Sequence, residues 1–243
     1  MFSTMLREWR GLRGMSQLDL ALGASVSTRH VSFMESERAR PSAEMVLRLA
    51  EALDLPLRER NAMLVAAGFA PLFGDSAWHS DAMAEVRAAA TLLLKAHEPY
   101  PALVLDVAFN ILDANSAALA LIGADRDVLG SANLVDLVFQ PGPVRDAIIN
   151  WDEVAMYLMH RMREGIRRHG PQSAISTVLR RAMTQPAAAA LSDFRGEWGG
   201  RVLLPLTFSV EGTTTQWFTT VTSFGAPQDA LAEEITIEQF HPN

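Results

Sequence analysis

The residues of this chain that could do chemistry cluster on one short helix. Within residues 27–36, Val31 and Met34 stand three apart and suit a buried side, which turns Thr28, Arg29, Ser32 and Phe33 outward together. An exposed arginine beside small hydroxyls and an apolar ring suits the major groove of DNA. The guanidinium can donate two bonds to guanine O6 and N7, the hydroxyls can meet base or phosphate, and the ring can touch a thymine methyl. The same face would serve equally as the solvated side of a helical bundle. Enzyme chemistry finds no comparable set. The six histidines, at positions 30, 79, 97, 160, 169 and 241, form no HExxH or H-x-H arrangement, so no metal site is expected. The sequence has no GxSxG, no GxxxxGK[ST] and no GxGxxG after a strand. Asp152-Glu153 is a carboxylate pair, but adjacent helical residues diverge, and both suit a helix N-terminal end. No catalytic residue and no cofactor is expected.

Elements must hold that face in place. Residues 5–68 read as short helices, each opened by a start signal. The first covers about residues 5–13, with Leu6, Trp9 and Leu12 on one side. Ser16 caps the second with Asp19 three residues on as a capping-box acid, and Leu18, Ala21 and Leu22 are its expected buried stripe. Ser27 caps the third; Pro41-Ser42 precedes a fourth carrying Met45, Val46, Leu49 and Leu53; Pro56 opens a fifth. Residues 80–97 read as a connecting helix ended by Pro99. The pattern then changes. Strands are expected over 102–105 and 109–112, a helix over 116–122, long helices over 151–168 and 175–183, and strands over 201–210, 214–224 and 235–240. This order predicts an all-α domain over residues 1–70, a connector over 71–97, and an α+β domain with an antiparallel sheet over 98–243.

Two groups of motifs carry a resemblance. Ser16-Gln17-Leu18-Asp19-Leu20-Ala21, Val26-Ser27, Glu35-Ser36 and Arg40-Pro41-Ser42 resemble the Cro/C1-type helix-turn-helix, also called the xenobiotic-response-element type, over about residues 5–68. The resemblance implies a double-stranded DNA operator as partner. Gln17 would then contact phosphate, Ser27, Thr28 and Arg29 would open the base-reading helix with Ser32 and Phe33 behind them, and Arg38 and Arg40 would touch the DNA backbone. It also implies an internal pair, Arg10 with Glu35. Two departures stand out: Ser25 replaces the usual turn glycine, and Glu37 stands where a glycine often ends the recognition helix. A non-glycine residue in left-handed backbone costs about 1 kcal/mol.

Asp113-Ala114-Asn115-Ser116-Ala117-Ala118, Leu121-Ile122-Gly123 and Val128-Leu129-Gly130 are similar to the opening of PAS sensor domains. The wider span, from His97-Glu98-Pro99-Tyr100-Pro101 through Asn150-Trp151-Asp152-Glu153-Val154 to Thr220-Val221-Thr222-Ser223-Phe224-Gly225, resembles the ligand-binding domain of MmyB-like transcription regulators. Those proteins join a Cro/C1-type module to a PAS-like domain. Gln140 is a departure, because the family more commonly has His before Pro141. A long helix across a half-covered sheet commonly encloses an apolar pocket closed by a few polar groups. Leu103, Phe139, Trp151, Tyr157, Phe208 and Phe218 are candidates for its lining, with Asn150 or Arg161 as polar anchors. Aromatic residues at these spacings suit a plain core as well. The resemblance implies a small hydrophobic, fatty-acid-like ligand.

Composition bounds the rest. The chain has 243 residues, 49% of them hydrophobic and 20% charged, which is ordinary for a globular protein of one or two domains. It has no cysteine, which excludes disulfides, thiolate metal sites and a cysteine nucleophile, and suits a reducing compartment. No signal peptide and no membrane-length apolar run are visible, so a soluble cytoplasmic protein is expected, without a membrane partner. The net charge of −7 is uneven. Residues 1–70 hold nine arginines against eight acids, while the remainder holds twelve basic against twenty acidic residues. The acidity thus belongs to the second part, and an N-terminal nucleic-acid site remains open. The expected protein is a transcription regulator, acting as a homodimer. Two alternatives are a helical module that binds a protein partner as an adaptor, and a C-terminal enzyme on a lipid-like substrate.

Overall fold

The computed structural model describes residues 1–189, 191, 203, 205–210 and 212–243. Contacts divide the chain into two units: Met1–Ser76 with Arg167–Gln172 and Ala226–Glu233, and Ala77–Ile166 with Ser173–Gly225 and Glu234–Asn243.

The first unit is built on five helices: α1 (Phe2–Leu12), α2 (Gln17–Gly23), α3 (Thr28–Glu35), α4 (Ala43–Ala52) and α5 (Leu57–Ala66). Their start signals act locally. The Ser16 side chain accepts from the Asp19 amide at 3.1 Å while Asp19 accepts from the Ser16 amide at 2.8 Å, which closes the expected capping box. Ser27 and Ser42 cap α3 and α4 in the same sense, each accepting an amide three residues on at 3.2 Å. Leu6, Leu20, Met34, Leu49, Leu53 and Leu64 fill the core. The sequence reading of two apolar stripes needs correction. Leu18 and Leu22 are 55% and 70% exposed, whereas Leu20 and Ala21 turn inward. Leu12, the last residue of α1, is also exposed, while Leu6 and Trp9 are buried as expected and Phe2 joins them.

The endings of these helices explain the two departures noted above. After α2, the Val26 amide reaches back to the Ala21 carbonyl and the Ser25 amide to that of Leu22. After α3, the Arg38 amide reaches Phe33 and the Glu37 amide reaches Met34. Both are Schellman closures, which require left-handed backbone at the residue after the cap. Ser25 and Glu37 occupy those positions with φ of 54° and 63°. The turns are therefore formed without glycine, at the steric cost that a Cβ carries there.

The second unit opens with α6 (Ala84–Ala96) and continues through β1 (Ala102–Leu105), β2 (Ile111–Ala114), α7 (Ser116–Ile122), α8 (Leu134–Phe139), α9 (Pro143–Ala147) and α10 (Trp151–His169), whose last three residues belong to the first unit. It closes with α11 (Ala174–Met183), α12 (Pro186–Ala189), β3 (Leu206–Val210) and β4 (Thr213–Ser223), then α13 (Ala230–Glu234), largely in the first unit, and β5 (Thr236–Pro242). Among the described residues the strands form one antiparallel sheet in the order β2-β1-β5-β4-β3. The chain is therefore an all-α region followed by an α+β region with an antiparallel sheet. Strand β2 starts two residues later than expected. The Asp106 carboxylate accepts from the amides of Ala108 and Asn110 at 2.9 Å each, and Phe109 takes φ of 64°, so the turn extends through Asn110. Of the strand expected over 201–210, positions 201, 202 and 204 lie outside the described residues, as does Glu211.

Asn115 organises this unit. Its side-chain oxygen accepts from Ala118, capping α7, and from Ala102 on β1, each at 3.0 Å; its amide donates to Tyr100 O at 2.7 Å and Leu94 O at 3.3 Å. One buried side chain thus ties α6, β1 and α7 together with every polar atom used.

Candidate functional site: a helix face and an apolar cavity

The two sides of α3 are held apart by a single carboxylate. Glu35 is 4% exposed and accepts from Arg10 through Nε at 2.6 Å and Nη2 at 3.0 Å, and from Gln17 Nε2 at 2.8 Å. Arg10 also donates to the Met15 carbonyl at 2.9 Å, and Arg7 donates to the Glu35 carbonyl at 2.6 Å. Burial works against the Glu35 charge, but the bonds from Arg10 and Gln17 outweigh it and hold the carboxyl below its ordinary range. The same contact raises the Arg10 guanidinium above its ordinary value. The carboxylate that would repel phosphate is thereby turned inward and neutralised.

On the other side, the Arg29 guanidinium lies 5.0 Å from the Phe33 ring centre, and that of Arg38 lies 6.0 Å from the same ring. Arg29, Arg38 and Arg40 are exposed, and Thr28, Ser32 and Phe33 are half-buried. The ring orients two cations on one face, a contact worth about 0.5–1 kcal/mol when exposed. Thr28, Arg29, Ser32, Phe33 and Arg38 thus share the outer side of α3 and its C-terminal turn. Ser27 serves as the N-cap, and Gln17 commits an amide hydrogen to Glu35. Gln17, read from sequence as a phosphate ligand, is half-buried beside α3, and its amide group has a second hydrogen besides the one given to Glu35.

In the second unit a cavity of about 250 Å³ opens beside the sheet. Helix α10 sends Val154, Tyr157, Leu158 and Arg161 into it, one face at i, i+3, i+4 and i+7. The sheet contributes Leu103, Phe208, Phe218 and Phe240, and α7 and α8 contribute further apolar side chains. Of the sequence candidates, Leu103, Tyr157, Arg161, Phe208 and Phe218 line this space. Phe139, Trp151 and Asn150 do not. Phe139 and Trp151 pack edge to face at 5.8 Å, with the indole donating to Val138 O at 2.7 Å and the Arg145 guanidinium 3.8 Å from its ring centre. Asn150 instead clamps the start of β3, donating to Pro205 O at 2.7 Å and accepting from the Thr207 amide at 2.9 Å.

One residue at the cavity escaped the sequence reading. Glu238, on the central strand β5 opposite Leu103 and Val221, is 3% exposed and forms an ion pair with Arg161. Burial opposes the Arg161 charge, and the neighbouring carboxylate overcomes that and raises the guanidinium above its ordinary value. The same guanidinium lies 5.2 Å from the Phe109 ring centre and 5.7 Å from that of Tyr157. The signal was present in the alternation of the last strand, where Glu238 and Phe240 share a face. Its partner is 77 residues away on a helix, a distance no local pattern spans.

Comparisons with known proteins follow this division. The family described as "MmyB-like transcription regulator ligand binding domain" matches residues 86–243, and a helix-turn-helix family matches residues 6–60. A search of curated proteins gives no match. Among solved structures, the PAS domain of an HTR-like protein from Haloarcula marismortui is 13% identical with a TM-score of 0.28, the match covering 65% of this chain and 99% of that one. An RNA-binding light-oxygen-voltage receptor is also 13% identical with a TM-score of 0.28, covering 98% of this chain and 58% of that one.

Proposed function

We propose that this chain, which belongs to the MmyB-like transcription regulators, binds operator DNA as a homodimer through α3 and adjusts that binding to a small apolar ligand held in the sheet-domain cavity. The observation that carries the DNA reading is the polarity of α3: Glu35 is locked inward by Arg10 and Gln17, while Arg29, Phe33 and Arg38 are gathered outward. Arg29, with Thr28 and Ser32 beside it, reads base edges; Ser27 lies at the helix start, and Arg38 and Arg40 meet phosphates. Gln17 gives one amide hydrogen to Glu35 and meets phosphate with the other. A homodimer would set two copies of α3 on half-sites about 34 Å apart, one turn of DNA. The ligand would act only as far as it binds one arrangement of the dimer better than another. This is work for the cytoplasm, where the DNA lies.

The test is titration of the full chain into labelled DNA from its own upstream region, beside a scrambled duplex, at several salt concentrations. Selective binding that weakens steeply with salt supports the proposal; equal, salt-independent binding to both duplexes refutes it. A second reading has one observation in its favour. Leu18 and Leu22 on α2 are exposed and lie four residues apart, which suits a protein partner for the helical module. Replacing both with Gln would abolish partner binding under that reading and leave operator affinity unchanged under the first.

A further inference from the structure

The polar end of the cavity carries information about its ligand. Among the described residues its charged groups are Arg161 and Glu238, already paired with each other, with side-chain exposures of 20% and 4%. The pair is net neutral, and among the described residues the rest of the lining is apolar apart from Tyr157 and Thr219. An ionised carboxylate entering this end must lose its water, and it gains no net attraction from a guanidinium whose charge is cancelled by the adjoining carboxylate. If it displaced Glu238 from Arg161, Glu238 would remain buried without its counter-charge, a penalty of about a hundredfold in affinity. A neutral head faces neither cost. A guanidinium carries five N–H donors, so a hydroxyl or carbonyl oxygen can accept from one that Glu238 does not use, and a hydroxyl can also donate to an acceptor at the pair.

We propose that the cavity selects a medium-chain amphiphile with a neutral oxygen head, an alcohol or ester, over the corresponding free carboxylate. This rests on the reading of the cavity as the ligand site. The volume of about 250 Å³ argues for a medium chain, since sites for drug-sized ligands span about 300–1,000 Å³.

The experiment compares 1-octanol with octanoate on the full chain by calorimetry near neutral pH, where the acid is ionised and both probes stay below their aggregation limits. The expected result is that octanol binds about tenfold or more tightly than octanoate. In Glu238→Gln the carboxylate that repels octanoate is removed while Arg161 remains, so the preference should shift toward octanoate by about tenfold. Octanoate binding as well as or better than octanol in the unaltered protein would overturn the head-group proposal, whether or not the variant folds. An unchanged ratio in a folded Glu238→Gln protein would overturn the assignment of selectivity to the ion pair. Binding of neither probe would overturn the cavity reading itself, and the head-group proposal with it.

Discussion

The lock on α3 can be tested by removing its two halves separately and together. Glu35→Leu leaves the Arg10 guanidinium, with a side chain 18% exposed, without the carboxylate that accepts its two N–H groups. Arg10→Met leaves a carboxylate 4% exposed with Gln17 as its side-chain donor. Breaking one side of a buried pair costs about 3–5 kcal/mol. Arg10 keeps the Met15 carbonyl and Glu35 keeps Gln17, so each single variant should lose about 2–3 kcal/mol. For a unit of this size that corresponds to a fall in Tm of about 10–20 °C, from 4–8 °C per kcal/mol. The double variant leaves neither charge behind and should cost no more than one single variant, giving a coupling energy of about 2 kcal/mol. Urea denaturation of the four proteins, followed by helix circular dichroism, supplies the cycle. Additivity within about 0.5 kcal/mol would show that Arg10 and Glu35 act independently and would refute the lock.

Three further outcomes are expected. Ser25→Gly relieves the left-handed backbone at the end of α2 and should raise stability by about 0.5–1 kcal/mol, read as a higher urea midpoint with an unchanged slope. Burial, then the charges of Arg168, Arg58 and Arg13, push the His169 imidazole from 6.5 down to about 4. Since the unfolded chain takes up this proton first, the contribution is complete above about 6.5 and is lost as pH falls toward 4. His169→Asn should flatten the dependence of Tm on pH in that window, and an equal slope in both proteins would contradict the assignment. Arg38→Ala should weaken binding to all DNA sequences alike and reduce the salt slope by about 1, measured by anisotropy.

What the sequence disclosed depended on how local each cause was. Ser16, Ser27, Ser42 and Asn115 are caps, whose partners lie within three residues; Ser16 and Ser27 were read as such, and Ser42 was placed at the start of its helix. The outward set on α3 followed from the spacing of Val31 and Met34, both buried in the structure. The phase of α2 was misread because a seven-residue helix offers too few turns to separate Leu18 and Leu22 from Leu20. Helices α8 and α9 were missed for the same reason, being six and five residues long. In the sheet domain, local pattern could mark Trp151 and Phe139 as apolar but not tell a packed pair from a cavity wall. Glu238 lay beyond reach because its meaning depends on Arg161 across the fold.

The central claim, that the face of α3 carrying Arg29 reads bases, is tested most directly by a base-substitution profile of the operator. Affinities of the unaltered protein and of Arg29→Ala would be measured for duplexes changed one base pair at a time. The account predicts that the unaltered protein loses about 1–3 kcal/mol at one guanine-containing pair and that Arg29→Ala becomes indifferent at that pair alone. An identical profile for the two proteins would contradict it.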